Sequence, residues 1–139
     1  DQVTKAIIMQ KIETGDIVIA PFFNLVLTWN RGISFGIFND GAAGPLALTA
    51  LSLAIAAGFA FWLWRADSKY LAVALGAVIG GALGNVVDRL RFGAVVDFLD
   101  FHIGAWHWPA FNVADSAICV GIAFVVLDGL FFEPKRKKP

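Results

Sequence analysis

The chain has 139 residues, enough for one domain, and apolar residues make up 58% of it while charged residues make up only 16%. A typical soluble domain carries about 25% charged residues, so this composition argues against a soluble protein and favours one that lies in a lipid bilayer. Basic and acidic residues balance at eleven each, so nothing points to nucleic acid as a partner, and the single cysteine, Cys119, excludes an intramolecular disulfide. We therefore treat residues 1–139 as a single membrane domain.

The first segment, residues 1–12, has the pattern of a helix but falls short of the about 20 residues that cross a bilayer. We expect it to be the end of a transmembrane helix that begins upstream of residue 1. After this segment, residues 17–38 are rich in β-branched and aromatic side chains and contain the turn Asn30-Arg31-Gly32, which predicts short strands. Residues 94–103 have the same character, so the two segments together predict a small sheet with a loop.

Long apolar segments account for most of the remaining chain, and the first of them, Gly41 to Trp64, contains no charged residue. The predicted spans are 43–64, 69–89 and 112–132. With the truncated first helix they make four, so the predicted fold is an all-α polytopic membrane protein with a small extracytoplasmic β-sheet platform and loop. Small residues spaced four apart let helices approach closely, and the third span has three such glycines, Gly76, Gly80 and Gly84.

Basic residues near the ends of spans indicate the orientation, because cytoplasmic loops carry an excess of them. Arg65 and Lys69 lie at the short turn between the second and third spans, 43–64 and 69–89, and four basic residues at 135–138 follow the last span. Both places fall on one side if the spans alternate, so we expect that side to be cytoplasmic. The predicted sheet then lies on the opposite, outer face.

Polar residues crowd at the outer ends of the spans, where they are costly and therefore informative. They are Asn85, Asp88, Arg89, Asp97, Asp100, Asn112 and Asp115. Helix capping explains Asn112 as well as a functional role does, but it explains Asp115, at the third helical position, less well. For Asp88 a structural ion pair with Arg89 or Arg91 is favoured, and Asp100, in a loop, is expected to be solvated.

Carboxylates are the plausible catalytic groups in this cluster. His102 and His107 match no compact zinc motif, so neither a metal nor a cofactor is predicted. No serine stands in a nucleophile motif, and Cys119 is expected deep in a span. Two carboxyl groups a few ångströms apart share a proton near neutral pH, and such a pair can activate water while polarising a carbonyl group.

Five sequence segments carry a family resemblance along essentially the whole chain. They are Asp1-Gln2-x-x-Lys5, Asn30-x-Gly32-x-x-Phe35, Gly81 to Arg89, Val95-Val96-Asp97-Phe98 and Phe111 to Asp115. Together and in this order they resemble the signature of bacterial lipoprotein signal peptidase, also called signal peptidase II. The residues after the Asn-x-Gly turn, Ile33 and Ser34, depart from the usual small residues of the family, which leaves the shape of this loop open.

The resemblance implies a four-helix aspartic peptidase of the bacterial inner membrane, with its site toward the periplasm. It implies that the enzyme removes the signal peptide of a prolipoprotein on the N-terminal side of a cysteine that carries diacylglyceryl. Asp97 and Asp115 match the catalytic dyad. Site-lining or supporting positions match Asp1, Lys5, Asn30, Gly32, Asn85, Asp88, Arg89 and Asn112, of which Asp88 is assigned to structural support. The implied partners are the lipidated precursor and membrane lipid, and a monomer would suffice.

Two other classes of protein fit some of the same residues. A small proton-coupled transporter or channel subunit would also carry carboxylates at membrane depth. Its relay would need acids along the depth of the membrane, whereas these gather at one surface. In a non-catalytic helper protein, the acids would only cap helices and pair with arginines.

Overall fold

The structure, a computed structural model, describes residues 1–12, 15–32 and 43–132. The helices are α1 (Gln2–Lys11), α2 (Ala43–Trp64), α3 (Lys69–Phe92) and α4 (Val113–Leu127), and a π-helical turn (Asp128–Phe132) extends α4. The strands are β1 (Ile17–Ala20), β2 (Phe23–Asn30), β3 (Val95–Ile103) and β4 (Trp106–His107). The strands predicted within 17–38 and 94–103 are therefore confirmed, except that residues 33–38 of the first segment lie outside the described residues.

In the described part of the chain, three helices are long and apolar enough to cross a membrane. They are Gly44–Trp64, Lys69–Phe92 and Val113–Phe131, with mean hydropathies of 2.1, 1.9 and 2.0. The second is the most enclosed and packs against both of the others. Three predicted spans are thus confirmed, and a fourth that would include α1 stays a prediction. The chain is mostly helical, but its sheet makes the all-α description incomplete.

The end of α3 determines where the sheet begins. Gly93 takes a left-handed conformation with φ of 69°, and its N–H donates to the carbonyl oxygen of Arg89. This geometry, which glycine adopts without strain, stops the helix and turns the chain into β3 two residues later. The C-terminal end of α3 and the start of β3 are consequently adjacent.

The sheet has the order β1-β2-β3-β4, and all of its neighbours are antiparallel. In the β2–β3 ladder, Thr28 lies opposite Asp97 and Asn24 lies opposite Asp100. The sheet packs on α1 through a small core around Ile8, Ile12 and Phe98. This packing places the short first helix beneath the strand that carries Asp97.

Glycines bring α3 and α4 into close contact. A Cβ atom on Gly81 would lie 2.5 Å from the carbonyl oxygen of Ala114, and one on Gly121 would lie 2.7 Å from Val78. Nothing lies within 4 Å of the Cβ position of Gly76 or Gly80, so the predicted packing role is wrong for these two. Gly84 is close to Asp1 and to Ala114, so it does lie at a packed surface. The close approach of α3 to α4 therefore runs along the face of α3 that carries Gly81 and Gly84.

We expect Gly81→Ala to destabilise the protein by about 1–3 kcal/mol, because the added methyl group must push α4 away from α3. Gly80→Ala is the matched control, since it adds the same methyl group one residue away into open space. Thermal unfolding of the two variants in detergent measures the difference. Equal melting temperatures would contradict the glycine contact as described.

Candidate active site

Asn112 and Asp115 begin α4 as a reciprocal capping box. The Asn112 side-chain oxygen accepts the N–H of Asp115 at 3.0 Å, and the Asp115 Oδ2 atom accepts the N–H of Asn112 at 3.1 Å. The cap predicted for Asn112 is therefore confirmed. Asp115 caps as well, but with only one of its carboxylate oxygens. The cap fixes the carboxylate where the helix begins and leaves its other oxygen for a different partner.

The side-chain amide of Asn112 connects this cap to the strand that carries Asp97. Its Nδ2 atom lies 2.8 Å from Asp97 Oδ1, 3.2 Å from Asn85 Oδ1 and 3.2 Å from the carbonyl oxygen of Val96. Asn112 is fully buried, so no water competes for these contacts. A single residue thus orients both predicted catalytic acids, one through its oxygen and the other through its nitrogen.

Asn85 and Asn30 complete the hydrogen bonds of the two carboxyl groups. Asn85 Nδ2 donates to Asp115 Oδ1 at 2.7 Å, and Asn30 Nδ2 donates to Asp97 Oδ2 at 3.0 Å. Asn30 is itself oriented, because its side-chain oxygen accepts the N–H of Gly32 at 3.1 Å. Each carboxyl oxygen of both acids therefore accepts a hydrogen bond. Three of the four donors are asparagine side-chain amides, and the fourth is the backbone N–H of Asn112.

Burial raises the pKa of Asp97 to about 6, because removal from water penalises the charged carboxylate. The hydrogen bond from Asn30 opposes this rise, the charge of Asp115 adds to it, and Asn112 and Lys5 lower the value again. Only 2% of Asp97 is exposed. Asp97 therefore retains a proton to a much higher pH than an ordinary aspartate does.

Both acids face one cavity of about 670 Å³ where α3 ends and α4 begins. Of the residues predicted for the site, Asn30, Gly32, Asn85, Arg89, Asp97 and Asp115 line it. Trp108, Pro109 and Ala110 form one wall, and Cys119 and Val120 extend it along α4. Cys119, expected within a span, lies in the candidate span Val113–Phe131, is exposed and lines the cavity.

Arg89 adds positive charge to this cavity. Its guanidinium interacts electrostatically with Asp115, Asp97 and Asp88. Its Nε atom is buried and has no hydrogen-bond partner among the described residues. An N–H donor in that position suits a carbonyl oxygen of a bound ligand, because such a bond would replace the water that burial removed.

Lys5 is buried in an ion cluster behind the cavity, with 1% of the residue exposed. Its Nζ atom lies 2.7 Å from Asp1 Oδ2, 2.7 Å from Asp88 Oδ2 and 3.2 Å from Asn85 Oδ1. Asp1 also accepts the N–H of Ala114 at 2.9 Å, near the start of α4. The prediction that Asp88 pairs with Arg89 or Arg91 is wrong, because its ionic partner is Lys5.

Asp88 supports the site through the backbone, in line with the structural role predicted for it. Its Oδ2 atom accepts the N–H of Val96 at 3.1 Å, while the carbonyl of Val96 accepts from Asn112. Polar side chains thus bond both the backbone N–H and the carbonyl oxygen of Val96, the residue before Asp97. Gln2 donates to Asp88 Oδ1 at 2.7 Å, a contact that sequence reasoning missed although Gln2 belongs to the first quoted segment.

Asp100 lies outside the cavity but is not solvated, contrary to prediction. Only 5% of it is exposed, and it accepts a hydrogen bond from Asn24 at 3.2 Å. The Nδ1 atom of His107 lies 2.9 and 3.0 Å from its two carboxylate oxygens. The sequence carried no signal for this pair, since it depends on the register of β2, β3 and β4.

Comparison with known proteins points to one family. A family model described as signal peptidase (SPase) II matches residues 1–131. The chain is 49% identical to a lipoprotein signal peptidase of Methylorubrum extorquens over 84% of this chain and 69% of the relative. It is 50% identical to a lipoprotein signal peptidase of Paraburkholderia phymatum over 94% of this chain and 80% of the relative. A solved bacterial membrane enzyme superposes with a TM-score of 0.82 at 30% identity, over 99% of this chain and 84% of that chain.

Replacement of Lys5 by methionine should destabilise the protein by about 3–5 kcal/mol, because it leaves the buried carboxylates of Asp1 and Asp88 without their counter-charge. Lys11→Met is the matched control, since Lys11 lies on the same helix but is exposed. Thermal unfolding in detergent compares the two variants. A Lys5 variant as stable as the Lys11 variant would rule out a structural role for the ion cluster.

The raised pKa of Asp97 predicts a pH-dependent stability. The stabilisation from its retained proton is complete below the ordinary value of 3.8 and is lost as pH rises through about 6. Asp97→Asn cannot ionise, so its melting temperature relative to the unmodified protein should rise between about pH 4 and about pH 6.5 and level off above that. Altered hydrogen bonds would add a constant offset but no slope. A difference that stays flat over this range would contradict the raised pKa.

Proposed function

The chain belongs to the signal peptidase II family, and we propose that Asp97 and Asp115 are the catalytic pair with which it cuts its substrate. It is a membrane protease that removes signal peptides from lipoprotein precursors. The observation that carries the dyad assignment is the amide of Asn112, which donates to Asp97 while its oxygen caps the helix turn of Asp115. Both carboxyl groups line the same cavity.

The geometry supports hydrolysis by an activated water molecule. In this mechanism Asp97, with its raised pKa, carries the shared proton, and Asp115 serves as the base. Asp115 takes a proton from water as the water oxygen attacks the scissile carbonyl carbon, and Asp97 gives its proton to the carbonyl oxygen. The tetrahedral diol then collapses as the C–N bond breaks. Asp115 protonates the leaving nitrogen, and a diol hydroxyl returns a proton to Asp97.

The asparagines serve as fixed supports in this mechanism. Asn30, Asn85 and Asn112 hold the carboxyl oxygens in place before substrate arrives, so little reorganisation is needed during the reaction. Arg89 offers its unpartnered Nε–H to a carbonyl oxygen of the substrate backbone. Positioning of this kind accounts for a large part of the rate in enzymes that form no covalent intermediate.

The place of the cavity suits a lipidated substrate. It lies at the ends of α3 and α4 that are remote from the loop with Arg65 and Lys69, and it continues along α4 past Cys119 and Val120. A diacylglyceryl group on the cysteine beside the scissile bond could stay among the lipid tails while the bond reaches the acids. By the basic-residue rule the cavity opens toward the periplasmic side of the inner membrane.

A transporter or channel subunit is not supported by the family, which is one of peptidases. Along α4, no acid lies between Asp115 and Asp128, so a proton relay through this span would have a long gap. One chain supplies every group of the proposed mechanism, so we infer that a monomer suffices.

Asp97→Asn and Asp115→Asn should each lower the cleavage rate by at least about 10³-fold, because neither variant can transfer the protons that the mechanism needs. Purified protein is incubated in detergent with a synthetic precursor peptide that carries diacylglyceryl cysteine, and mass spectrometry measures the released signal peptide. Asp67→Asn is the control, since Asp67 is exposed at the other end of the spans. Cleavage that persists in either dyad variant would remove that residue from the catalytic pair.

A further inference from the structure

A strip of three residues, Trp108, Pro109 and Ala110, forms the partition between two cavities. One is the cavity of the dyad. The other is a groove of about 620 Å³ on the far side of the strip, which Asp100 and His107 help to line. Any displacement of the strip therefore changes the shape of the dyad cavity directly.

Among the described residues, backbone hydrogen bonds hold the strip only where it begins and just beyond its end. The N–H of Trp108 donates to the carbonyl oxygen of Phe101 at 2.8 Å, and Phe111 pairs with Leu99 through bonds of 2.8 and 3.2 Å. Pro109 has no N–H to donate, so it cannot add a further bond of this kind. The strand that precedes the strip, β4, has only two residues and is too short to be stable by itself.

The Asp100–His107 pair adds a side-chain contact to the support at the start of the strip. His107 is the last residue of β4, immediately before the strip, and its Nδ1 atom is within 3.0 Å of both carboxylate oxygens of Asp100. Asp100 is buried in β3, and Asn24 of β2 anchors it at 3.2 Å. The pair thus connects the start of the strip to the two central strands of the sheet.

We infer that Asp100 and His107 are positioning residues that hold the Trp108–Ala110 wall and so determine how tightly the precursor binds beside the dyad. The inference rests on the proposed function, because it takes the dyad cavity as the substrate site. The pair faces the groove behind the wall, and the dyad is held by other contacts, from Asn30, Asn85 and Asn112. Loss of the pair should therefore weaken substrate binding and leave the chemical step intact.

The test compares two substitutions of His107. In His107→Asn the amide nitrogen takes the place of Nδ1 and can still donate to Asp100, whereas His107→Leu removes the donor. We expect His107→Leu to raise KM for the lipidated precursor about threefold to tenfold with kcat within about twofold, and His107→Asn to recover most of the loss. Asp16→Asn is the control, since Asp16 lines the same groove but is exposed and lies before β1, away from the wall.

Hydrogen exchange supplies a readout that does not depend on activity. In His107→Leu, the hydrogen-bonded amides of Trp108 and Phe111 should exchange faster than in the unmodified protein, while those of α3 and β2 stay unchanged. His107→Asn and Asp16→Asn should both exchange at the rates of the unmodified protein. A variant that simply folds poorly would exchange faster throughout, and that outcome would overturn a local positioning role.

Three kinetic results would also overturn the inference. They are an unchanged KM in His107→Leu, a loss confined to kcat, and a His107→Asn variant as impaired as His107→Leu. Failure of the proposed function has a different signature, since Asp97→Asn would then remain active. The exchange experiment would still report on the wall in that case.

Discussion

Asn112 is the residue on which the site depends, because its amide is shared between two elements that the chain brings together from different places. Its oxygen begins α4 and its nitrogen reaches β3, so the helix cap and the catalytic geometry are parts of the same arrangement. A buried amide with unpaired atoms is costly, and every polar atom of this side chain has a partner. The two acids are consequently held at a set separation by a contact that also stabilises the fold.

The ion cluster of Lys5 connects the first helix to the site in the same way, through buried polar groups that pair with one another. Burial of a lysine is tolerable only when counter-charges and hydrogen bonds surround it, and here they come from α1 itself and from α3. Asp1 reaches the start of α4 and Asp88 reaches β3, so the cluster touches each element that carries an acid of the dyad. The short α1 helix therefore contributes to the site even though it lines none of the cavity. Close approach at Gly81 and Gly84 makes room for these contacts.

The neighbouring sequence predicts a residue's role correctly where that role depends on residues next to it in the chain. The cap at Asn112 follows from its place before an apolar helix, and the unusual context of Asp97 follows from the apolar residues on either side. The same reasoning failed for Asp88, whose partner Lys5 is far away in the sequence while two arginines are near. It failed for Asp100 because a strand register, which no local pattern specifies, places His107 and Asn24 against it. The spacing of Gly76 and Gly80 indicated a packed face, but the helix is rotated so that Gly81 makes the contact instead.

The sequence alone determined that this protein lies in a membrane, where three of its helices run, and that polar residues gather at one end of them. These properties come from composition and from runs of apolar residues, which act within one or two turns of a helix. The segments that resemble the signal peptidase II family also single out the two acids that we propose as the catalytic pair. Only the tertiary structure decided which donor holds which oxygen, how Lys5 is neutralised and which wall encloses the acids. Those contacts join residues from separate helices and strands, and their geometry exists only after the elements have packed.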